Sequence, residues 1–566
     1  MPLSMFPAAP LAPDRRRLGA LLRARALVAV CALALLGPMA PPAAWAQSQL
    51  PSLGDPAGAD FGIGTERKLG DAIMREIRVD PDYLDDPVLL EYLQSLWLPL
   101  VAQARLRGYI GADVDQRFAW EAFLVRDKEV NAFALPGGYV GVNLGLIALT
   151  DTRDELASVL GHELSHVTQH HIARSIANSK RQSLLSLATL LAGVLVASKA
   201  GSSGADAANA AIVGSQAIAA QGQLNFSRDM EREADRTGFV MMSGAGFAPA
   251  GMVAMFEKME QSSRLNDSGG YPYLRSHPLT SERIAEARLR LGTAAPGSMT
   301  RTLEHAAAQA RARVMMDTRF DALRRWQGLD GDRAAATAAD KLANSYASAL
   351  ASTLLRDWAR ADASIATALH DVRNAAAPKD TRAERAVVLL QVQSLLARGD
   401  VAMALAALQP YANDGSRPVL LLEAQAALAQ GADTPAGPPG RDAASQPPSA
   451  IGAAAGTPGR ATAALDASAA ALQTWVALHP LDSLAWTALS QTTGRLGQPL
   501  RAIRADAESR VALGDFTGAA DRLRGGQQRA RSGGAVDFID ASVIDARLRD
   551  VELQRKQVIQ DEKALR

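Results

Sequence analysis

The stretch Gly161-His162-Glu163-Leu164-Ser165-His166 decides how this 566-residue chain is interpreted. On an α-helix, residues four apart lie on one face, so the imidazoles of His162 and His166 can both reach a single ion. Glu163 projects beside them, where its carboxylate can take a proton from the attacking water. The motif therefore predicts a helix that carries two metal ligands and a general base.

The residues upstream of the motif support a helix. Thr152 and Glu155 have the spacing of a capping box, which marks a helix N-terminus. A buried apolar stripe follows, formed by Leu156, Val159 and Leu160. The motif is therefore expected on a capped, amphipathic helix and not on an irregular surface segment.

A third ligand has several sources. One class of zinc peptidases would need Gly at position 169 and His at position 172, but the chain has Gln169 and Ile172, which excludes that class. His170 lies two helical turns beyond His162 and could compete as a ligand. The alternative for His170 is a polar residue at a fraying helix end.

The downstream block Ser227-Arg-Asp-Met-Glu-Arg-Glu-Ala-Asp235 is the better source of the third ligand. Glu231 and Asp235 share one helical face with apolar and small residues, and unpaired buried carboxylates are costly. A zinc ligand at Glu231, with Asp235 as the partner that orients the site, explains both. Glu233 falls on the other side, with the residues predicted to face solvent: Asp229, Arg232 and Arg236.

Residues 131–143 form an island typical of β-structure within a helical pattern. Two short strands are predicted around the turn Pro136-Gly137-Gly138. The second strand lies just before the motif helix, so we expect it to be an edge strand to which an extended substrate adds. The residues predicted to form this substrate edge are Gly138, Tyr139, Val140 and Gly141.

The G-H-E-x-x-H helix, the S-R-x-x-E-x-E-A-D block and the N-A-F-A-x-P-G-G hairpin resemble the gluzincin family of the CAAX prenyl protease and HtpX. The resemblance covers roughly residues 55–290. An N-terminal signal and C-terminal helical repeats are similar to the periplasmic, beta-barrel assembly-enhancing branch of that family. The resemblance implies one Zn²⁺ per chain and an endopeptidase of the Gram-negative envelope that degrades unfolded or stalled outer-membrane proteins. It also implies a second role in assisting the assembly of those proteins, with the assembly machinery as a candidate partner of the helical repeats. The long Pro/Gly/Ala-rich segment departs from the family, so the contacts of the repeats are not carried over from it.

His277 precedes Pro278 and follows a Gly269-Gly270 loop. The family resemblance implies that a His at this position covers the zinc as a reversible fourth ligand and so gates the site. The alternative is a helix-entry residue whose imidazole caps local backbone.

The first 46 residues are predicted to be an export signal. A basic segment precedes an apolar run at 26–36, and Ala44-Trp45-Ala46 supplies a cleavage site before Gln47. The alternative, a membrane anchor, would need about 20 apolar residues. Removal of Cys31, the only cysteine, would leave a periplasmic chain without thiols, so the metal site must use His and carboxylates.

The overall composition excludes one class of partner. The 60 basic and 59 acidic residues nearly balance, so the sequence offers no electrostatic reason to expect nucleic acid binding. A 14-residue apolar run at 184–197 is too short to span a membrane. It is interpreted either as a peripheral contact with a membrane or partner, or as a buried hairpin.

The chain is expected to be mainly α. We predict a lead-in (47–64), a helical zinc-metallopeptidase domain with a small β-hairpin or edge sheet (65–300), and an α-solenoid of tetratricopeptide-like helices (301–430 and 463–566). A Pro/Gly/Ala-rich linker (431–462) interrupts the solenoid. The repeat signal is a phrase that recurs at 395–408 and 512–523, and the W-x-x-L opening at Trp486. A generic helical bundle is the alternative architecture.

Two functions from different classes fit the sequence. The first is a protease that is regulated by its own solenoid. The second is a non-proteolytic tetratricopeptide chaperone or scaffold in which the zinc is structural. A structural zinc usually has four protein ligands, whereas catalysis needs an open position. The presence of Glu163 and of only three strong ligands therefore favours the enzyme.

Overall fold

The computed structural model describes residues 62–178, 227–265, 272–293, 299, 301–331, 337–375, 379–432, 458–532 and 538–565. Several predicted features lie outside the described residues. They are the export signal (1–46), most of the lead-in (47–64), the apolar run at 184–197, the glycines at 269–270 and most of the linker (431–462).

The described residues before position 300 form helices and one sheet. Its helices are α1 (Ile63–Val79), α2 (Pro87–Leu106), α3 (Ala112–Arg117), α4 (Leu144–Leu149), α5 (Arg153–Thr168), α6 (His171–Asn178), α7 (Arg228–Gly244), α8 (Ala250–Leu265), α9 (Pro272–Ser276) and α10 (Ser281–Thr293). Its strands are β1 (Tyr83–Leu84), β2 (Glu121–Val125), β3 (Ala132–Leu135) and β4 (Tyr139–Asn143).

The part after residue 300 is helical throughout its described residues. Its α-helices are α11 (Leu303–Met315), α12 (Phe320–Gln327), α13 (Ala338–Leu354), α14 (Trp358–Arg373), α15 (Thr381–Arg398), α16 (Val401–Leu408), α17 (Arg417–Ala432), α18 (Pro458–Leu478), α19 (Ser483–Arg495), α20 (Pro499–Leu513), α21 (Phe516–Ser532) and α22 (Phe538–Leu565). Two short 3₁₀ turns, Gly328–Gly331 and Gln409–Tyr411, supplement them. The prediction of a mainly α chain with a small sheet is confirmed.

The sheet corrects the predicted substrate edge. The strand order is β1-β2-β4-β3, so the predicted hairpin (β3 and β4) is present but belongs to a four-stranded sheet. Strand β4 pairs in parallel with β2 on one side and antiparallel with β3 on the other. All five of its residues are buried, and the Phe133 ring lies against Gly141. Strand β4 is therefore interior, and the prediction that Gly138–Gly141 form an edge is wrong. The edge strands are β1 and β3, and β3 is the one that pairs with β4.

Helix α5 runs through the centre of the core. Every residue from Asp154 to Thr168 is buried. The predicted N-cap is present, because the Thr152 hydroxyl accepts a hydrogen bond from the Glu155 amide at 3.2 Å. The Glu155 carboxylate accepts from the Asp151 amide instead of closing a capping box with Thr152. The Glu155 carboxylate is only 5% exposed, and the Lys258 ammonium forms an ion pair with it at 2.6 Å.

Two glycines let α5 and α7 approach closely. A Cβ on Gly238 would lie 3.0 Å from the carbonyl carbon of Gly161 and from the amide nitrogen of His162. Such contacts are tighter than ordinary van der Waals contacts, so only glycine fits here without displacing the backbone. The crossing lies next to His162 on one helix and one turn from Asp235 on the other. The close approach therefore brings the two predicted ligand-bearing helices together.

Helix α11 belongs to two hydrophobic cores. Ala308 and Ala312 pack into the core that surrounds α5. The other faces of α11 pack into a second core with α13, α14 and α15. A buried ion pair between Arg311 and Asp86, at 2.7 Å, joins α11 to the residue that caps α2. The predicted boundary at 300/301 therefore precedes a helix that both regions share.

The sequence pattern that recurs at 395–408 and 512–523 forms the same inter-helix turn in both places. Gly399 and Gly514 both have left-handed backbone angles, with φ of 91° and 84°. In each turn the amide of the following Asp bonds a carbonyl of the preceding helix at 2.9 Å. The apolar residues that follow the two turns at the same spacing are buried: Ala404, Leu408, Ala519 and Leu523. This region is helical-repeat-like, and its assignment to tetratricopeptide repeats stays a prediction.

The ends of the predicted linker are helical. Residues 431–432 finish α17, and residues 458–462 begin α18. Further along, α22 returns to α1, where Lys68 and Arg75 pair with Asp561 and Glu562 at 2.9 and 3.1 Å. Among the described residues, no helix combines the length and the apolar character needed to cross a membrane.

Candidate metal centre

Four side chains from three segments converge at one buried point. His162 and His166 come from α5, Glu231 comes from α7, and His277 comes from the residue after α9. One ligand atom from each lies within 4.8 Å of the others. All four side chains are at most 2% exposed. The structure thus brings together the three predicted ligands and the predicted fourth.

The ligand atoms face one another directly. The Nε2 atoms of His162 and His166 are 3.0 Å apart. Each lies 3.5 Å from an oxygen of the Glu231 carboxylate. Nδ1 of His277 is 3.0 Å from Oε1 of Glu231 and 3.3 Å from Nε2 of His162. Three imidazole nitrogens and one carboxylate therefore point at a common centre.

This set of atoms fits a zinc-sized cation. Oε2 of Glu231 is buried and makes no hydrogen bond of good geometry to a described residue, although Nη1 of Arg283 lies 2.8 Å away as an ion pair. Burial would raise the pKa of Glu231, but His277 and His162 outweigh it and lower that pKa, so the carboxylate is anionic. Nitrogen and carboxylate oxygen ligands at one buried point are what zinc prefers.

Glu163 lies beside the ligand cluster without being part of it. Its side chain is fully buried, and Oε2 accepts a hydrogen bond from the Ala134 amide of β3 at 3.0 Å. Oε1 lies 3.6 Å from Nε2 of His277. Burial raises the pKa of Glu163, and the neighbouring His277 and His162 act in the opposite direction. A raised pKa suits a carboxylate that must take and return a proton near neutral pH.

Asp235 orients His162 and is held in turn by Arg283. Oδ1 of Asp235 lies 2.9 Å from Nδ1 of His162. The Arg283 guanidinium donates to both oxygens of Asp235, at 2.7 and 2.8 Å. Burial would raise the pKa of Asp235, but the hydrogen bonds and charge of Arg283 lower it. The carboxylate is therefore ionised and fixes the imidazole through its remote nitrogen.

Of the two histidines that follow the motif helix, His171 contacts the site and His170 does not. His170 does not reach the site, because its backbone is left-handed (φ 52°) and its Nδ1 lies 3.0 Å from Glu66. His171 is fully buried, and its Nδ1 lies 2.9 Å from Nδ1 of His166. Its Nε2 lies 3.2 Å from Oε2 of Glu233, whose side chain is 30% exposed, so Glu233 borders both solvent and His171.

Three residues of the site escaped the sequence analysis. His171 was missed because α5 ends at Thr168, so counting along a continuous helix fails beyond it. Tyr273 stacks on His277 with ring centroids 4.6 Å apart and an interplanar angle of 24°. Arg283 stands six residues after His277, but nothing local to the sequence shows that it pairs with Asp235.

The helical core, the paired imidazoles and the third ligand on a crossing helix define a metallopeptidase-type domain. Residues 101–291 match the model of peptidase family M48. Through this domain the chain is similar to the members of peptidase family M48.

Named relatives match between 34% and 50% of the chain. A beta-barrel assembly-enhancing protease of Escherichia coli K12 is 32% identical over 283 residues, which are 50% of this chain and 55% of the relative. Its counterpart in Yersinia pestis is 34% identical over 251 residues, 44% of this chain and 49% of the relative. The mitochondrial metalloendopeptidase OMA1 of Saccharomyces cerevisiae is 28% identical over 199 residues, 34% of this chain and 53% of the relative. The chain spans about half the length of the curated relatives it matches.

Proposed function

We propose that this chain is a zinc-dependent endopeptidase of the bacterial envelope that removes misfolded or stalled outer-membrane proteins. The observation that carries the proposal is the buried convergence of His162, His166 and Glu231 beside the Glu163 carboxylate. The family match and the beta-barrel assembly-enhancing relatives support the substrate class. An export signal at 1–46 and action in the periplasm belong to the same proposal.

Each site residue has a role that its contacts support. His162, His166 and Glu231 would hold the metal, and Asp235 fixes the ring of His162 at 2.9 Å. The chemistry that zinc supplies in such a site is Lewis-acid polarisation of a carbonyl and a lowered pKa of a coordinated water. Glu163 accepts the proton of the attacking water and delivers it to the leaving amine, which its buried position favours.

Substrate is proposed to bind along β3, and not along β4 as the sequence suggested. Strand β3 is at the edge of the sheet, and its Ala134 amide lies 3.0 Å from the Glu163 carboxylate. An extended chain that added to this edge would pass directly by the base. Recognition would be mostly main-chain, which suits unfolded or stalled strands because folded proteins seldom offer a free edge.

His277 is proposed to gate the site. Its Nδ1 faces the ligand atoms and its Nε2 faces Glu163, so the imidazole occupies the position that substrate needs. A His277→Ala variant should therefore raise basal proteolysis or self-cleavage. If this variant were instead as inactive as Glu163→Gln, His277 would take part in catalysis and the gate would be wrong. Contact of the helical repeats with the outer-membrane assembly machinery is also proposed, with the relatives' names as its support.

The decisive experiment is zinc content together with turnover of an unfolded model substrate. Glu163→Gln should keep stoichiometric zinc and lose about 10²–10⁴-fold in kcat, the usual contribution of a general base. The exposed Glu282→Gln is the matched control and should behave as wild type. Wild-type turnover by Glu163→Gln would refute Glu163 as the general base. A wild-type protein that binds zinc but cleaves nothing would favour the alternative, a non-proteolytic chaperone or scaffold with a structural zinc.

The edge-strand mode has its own test. A cleavable peptide is N-methylated at one backbone amide at a time across the scissile region. Main-chain pairing with β3 predicts that cleavage is lost with a period of two residues, because alternate amides face the partner strand. Cleavage that tolerates every N-methyl group but demands one side-chain consensus would contradict the proposal.

A further inference from the structure

His166 is connected to α7 by a chain of contacts that differs from that of His162. Nδ1 of His162 meets the Asp235 carboxylate directly. Nδ1 of His166 meets Nδ1 of His171 at 2.9 Å, and Nε2 of His171 meets Oε2 of Glu233 at 3.2 Å. The His166 and His171 rings are perpendicular, at 75°, and both are fully buried. The His171 imidazole therefore occupies, next to His166, the place that the Asp235 carboxylate occupies next to His162.

These contacts fix where each hydrogen lies. A neutral imidazole has one N–H and one lone pair, and a carboxylate only accepts. Glu233 therefore requires the N–H of His171 at Nε2, which leaves a lone pair on its Nδ1. That lone pair requires an N–H on Nδ1 of His166. The lone pair of His166 is then on Nε2, the atom that faces the ligand cluster.

We propose that His171 and Glu233 are positioning residues that hold His166 in its metal-binding tautomer and orientation. The inference rests on the metal site of the proposed function. His171 acts through His166 and does not itself reach the metal, because its two ring nitrogens face His166 and Glu233. Arg174 supports the far end of the chain, with Nη1 3.3 Å from Oε2 of Glu233.

The backbone is arranged to make this contact. On a continuous helix, residue 171 would lie five positions after His166 and would point about 140° away from it. The chain instead leaves α5 at Thr168, turns through His170 in the left-handed region and restarts as α6 at His171. A non-glycine residue holds this conformation at a cost, and such positions cluster at functional sites. The side chain of His170 lies 3.0 Å from the Glu66 carboxylate, and this contact stabilises the turn.

Two variants of nearly equal shape separate positioning from packing. His171→Asn places an amide oxygen where Nδ1 was, so it can still accept from His166. The Leu side chain of His171→Leu has the same branched arrangement of heavy atoms as Asn, but it cannot accept a hydrogen bond. Zinc affinity of the full-length protein is measured by chelator competition, and the geometry of the site by the visible spectrum of the cobalt-substituted protein.

His171→Leu should weaken zinc binding by about 10–100-fold, the usual cost of losing such a partner, and should shift the cobalt bands. His171→Asn should retain most of the affinity and the wild-type spectrum. His170→Asn is the matched control, because Asn tolerates the left-handed backbone, and it should bind zinc as wild type does.

Equal losses in the Asn and Leu variants, or wild-type affinity in both, would overturn the positioning role while leaving the metal site in place. A wild-type protein that binds no zinc would overturn the metal site itself. Because affinity is read without turnover, the failure of this inference and the failure of the proposed activity give different results.

Discussion

His305 links the repeat helices to the segment that leads into the metal-binding helix. Its Nε2 donates to the carbonyl of Thr150 at 2.9 Å, and its Nδ1 accepts from the Tyr92 hydroxyl at 2.6 Å. The side chain is fully buried. Burial lowers the pKa of His305 to about 4, although the Thr150 carbonyl favours the charged form. His305 is therefore neutral in the folded protein at neutral pH.

The pKa difference has a definite sign. In the unfolded chain His305 titrates near its ordinary pKa of about 6.5. Between pH 6.5 and 4 the unfolded state binds a proton at His305 that the folded state does not bind. The stability that the neutral His305 contributes to the folded state is therefore complete above pH 6.5 and is lost as the pH falls. Lowering the pH from about 7.5 to about 5 should remove on the order of 2 kcal/mol of unfolding free energy through this one group.

The test compares the slopes of unfolding free energy against pH. His305→Gln cannot titrate and keeps a donor for the Thr150 carbonyl, so its loss between those pH values should be smaller than that of wild type by about 2 kcal/mol. His370→Gln, the same substitution at an exposed imidazole (73% side-chain exposure), is the control for the exchange of His for Gln itself. Denaturant titrations at both pH values supply the free energies. If His305→Gln loses stability as steeply as wild type, the burial argument is wrong.

Three other perturbations have outcomes that the structure specifies. Gly238→Ala should lower the free energy of unfolding by about 1–3 kcal/mol, because the added Cβ meets the backbone of α5. The control Gly292→Ala adds a Cβ that meets nothing within 4 Å, so it should not lower that free energy. Denaturant midpoints compare the two variants. Arg311→Met should cost about 3–5 kcal/mol in the same assay by leaving Asp86 buried without its partner, and Asp86→Leu combined with Arg311→Met should restore part of that loss. Removal of the metal with a chelator should lower the Tm and added zinc should restore it, with about 2.7 kcal/mol of stabilisation at 100 times the Kd; an unchanged Tm would argue against a metal bound only by the folded state.

Local periodicity was sufficient where one helix carries the information. The four-residue spacing placed His162 and His166 on one face of α5. The same argument on α7 separated Glu231 and Asp235 from Glu233, and the structure brings the first two to the imidazoles. These positions follow from the helical repeat alone, because α5 and α7 are regular through the residues concerned.

The rest depended on contacts that no single segment encodes. Strand β4 looks like an edge in isolation, and only its parallel pairing with β2 buries it. His171 reaches His166 only because one residue, His170, leaves the right-handed region. Arg283 joins the site from α10, 48 residues after Asp235. A strand that pairs across a long separation and a single left-handed residue both lie beyond the reach of pattern counting.

The predicted boundary at 300/301 does not separate two independent parts of the fold. The side chains of His305 and Gln309 on α11 both bond the carbonyl of Thr150, two residues before Thr152 caps α5. The start of the metal-binding helix is thus held by the first helix of the repeat region. A truncation after residue 300 would remove these contacts and part of the core around α5, so loss of activity in such a truncation would not show that the repeats bind substrate. Substitutions on the later repeats, which leave α11 in place, separate substrate capture from support of the site.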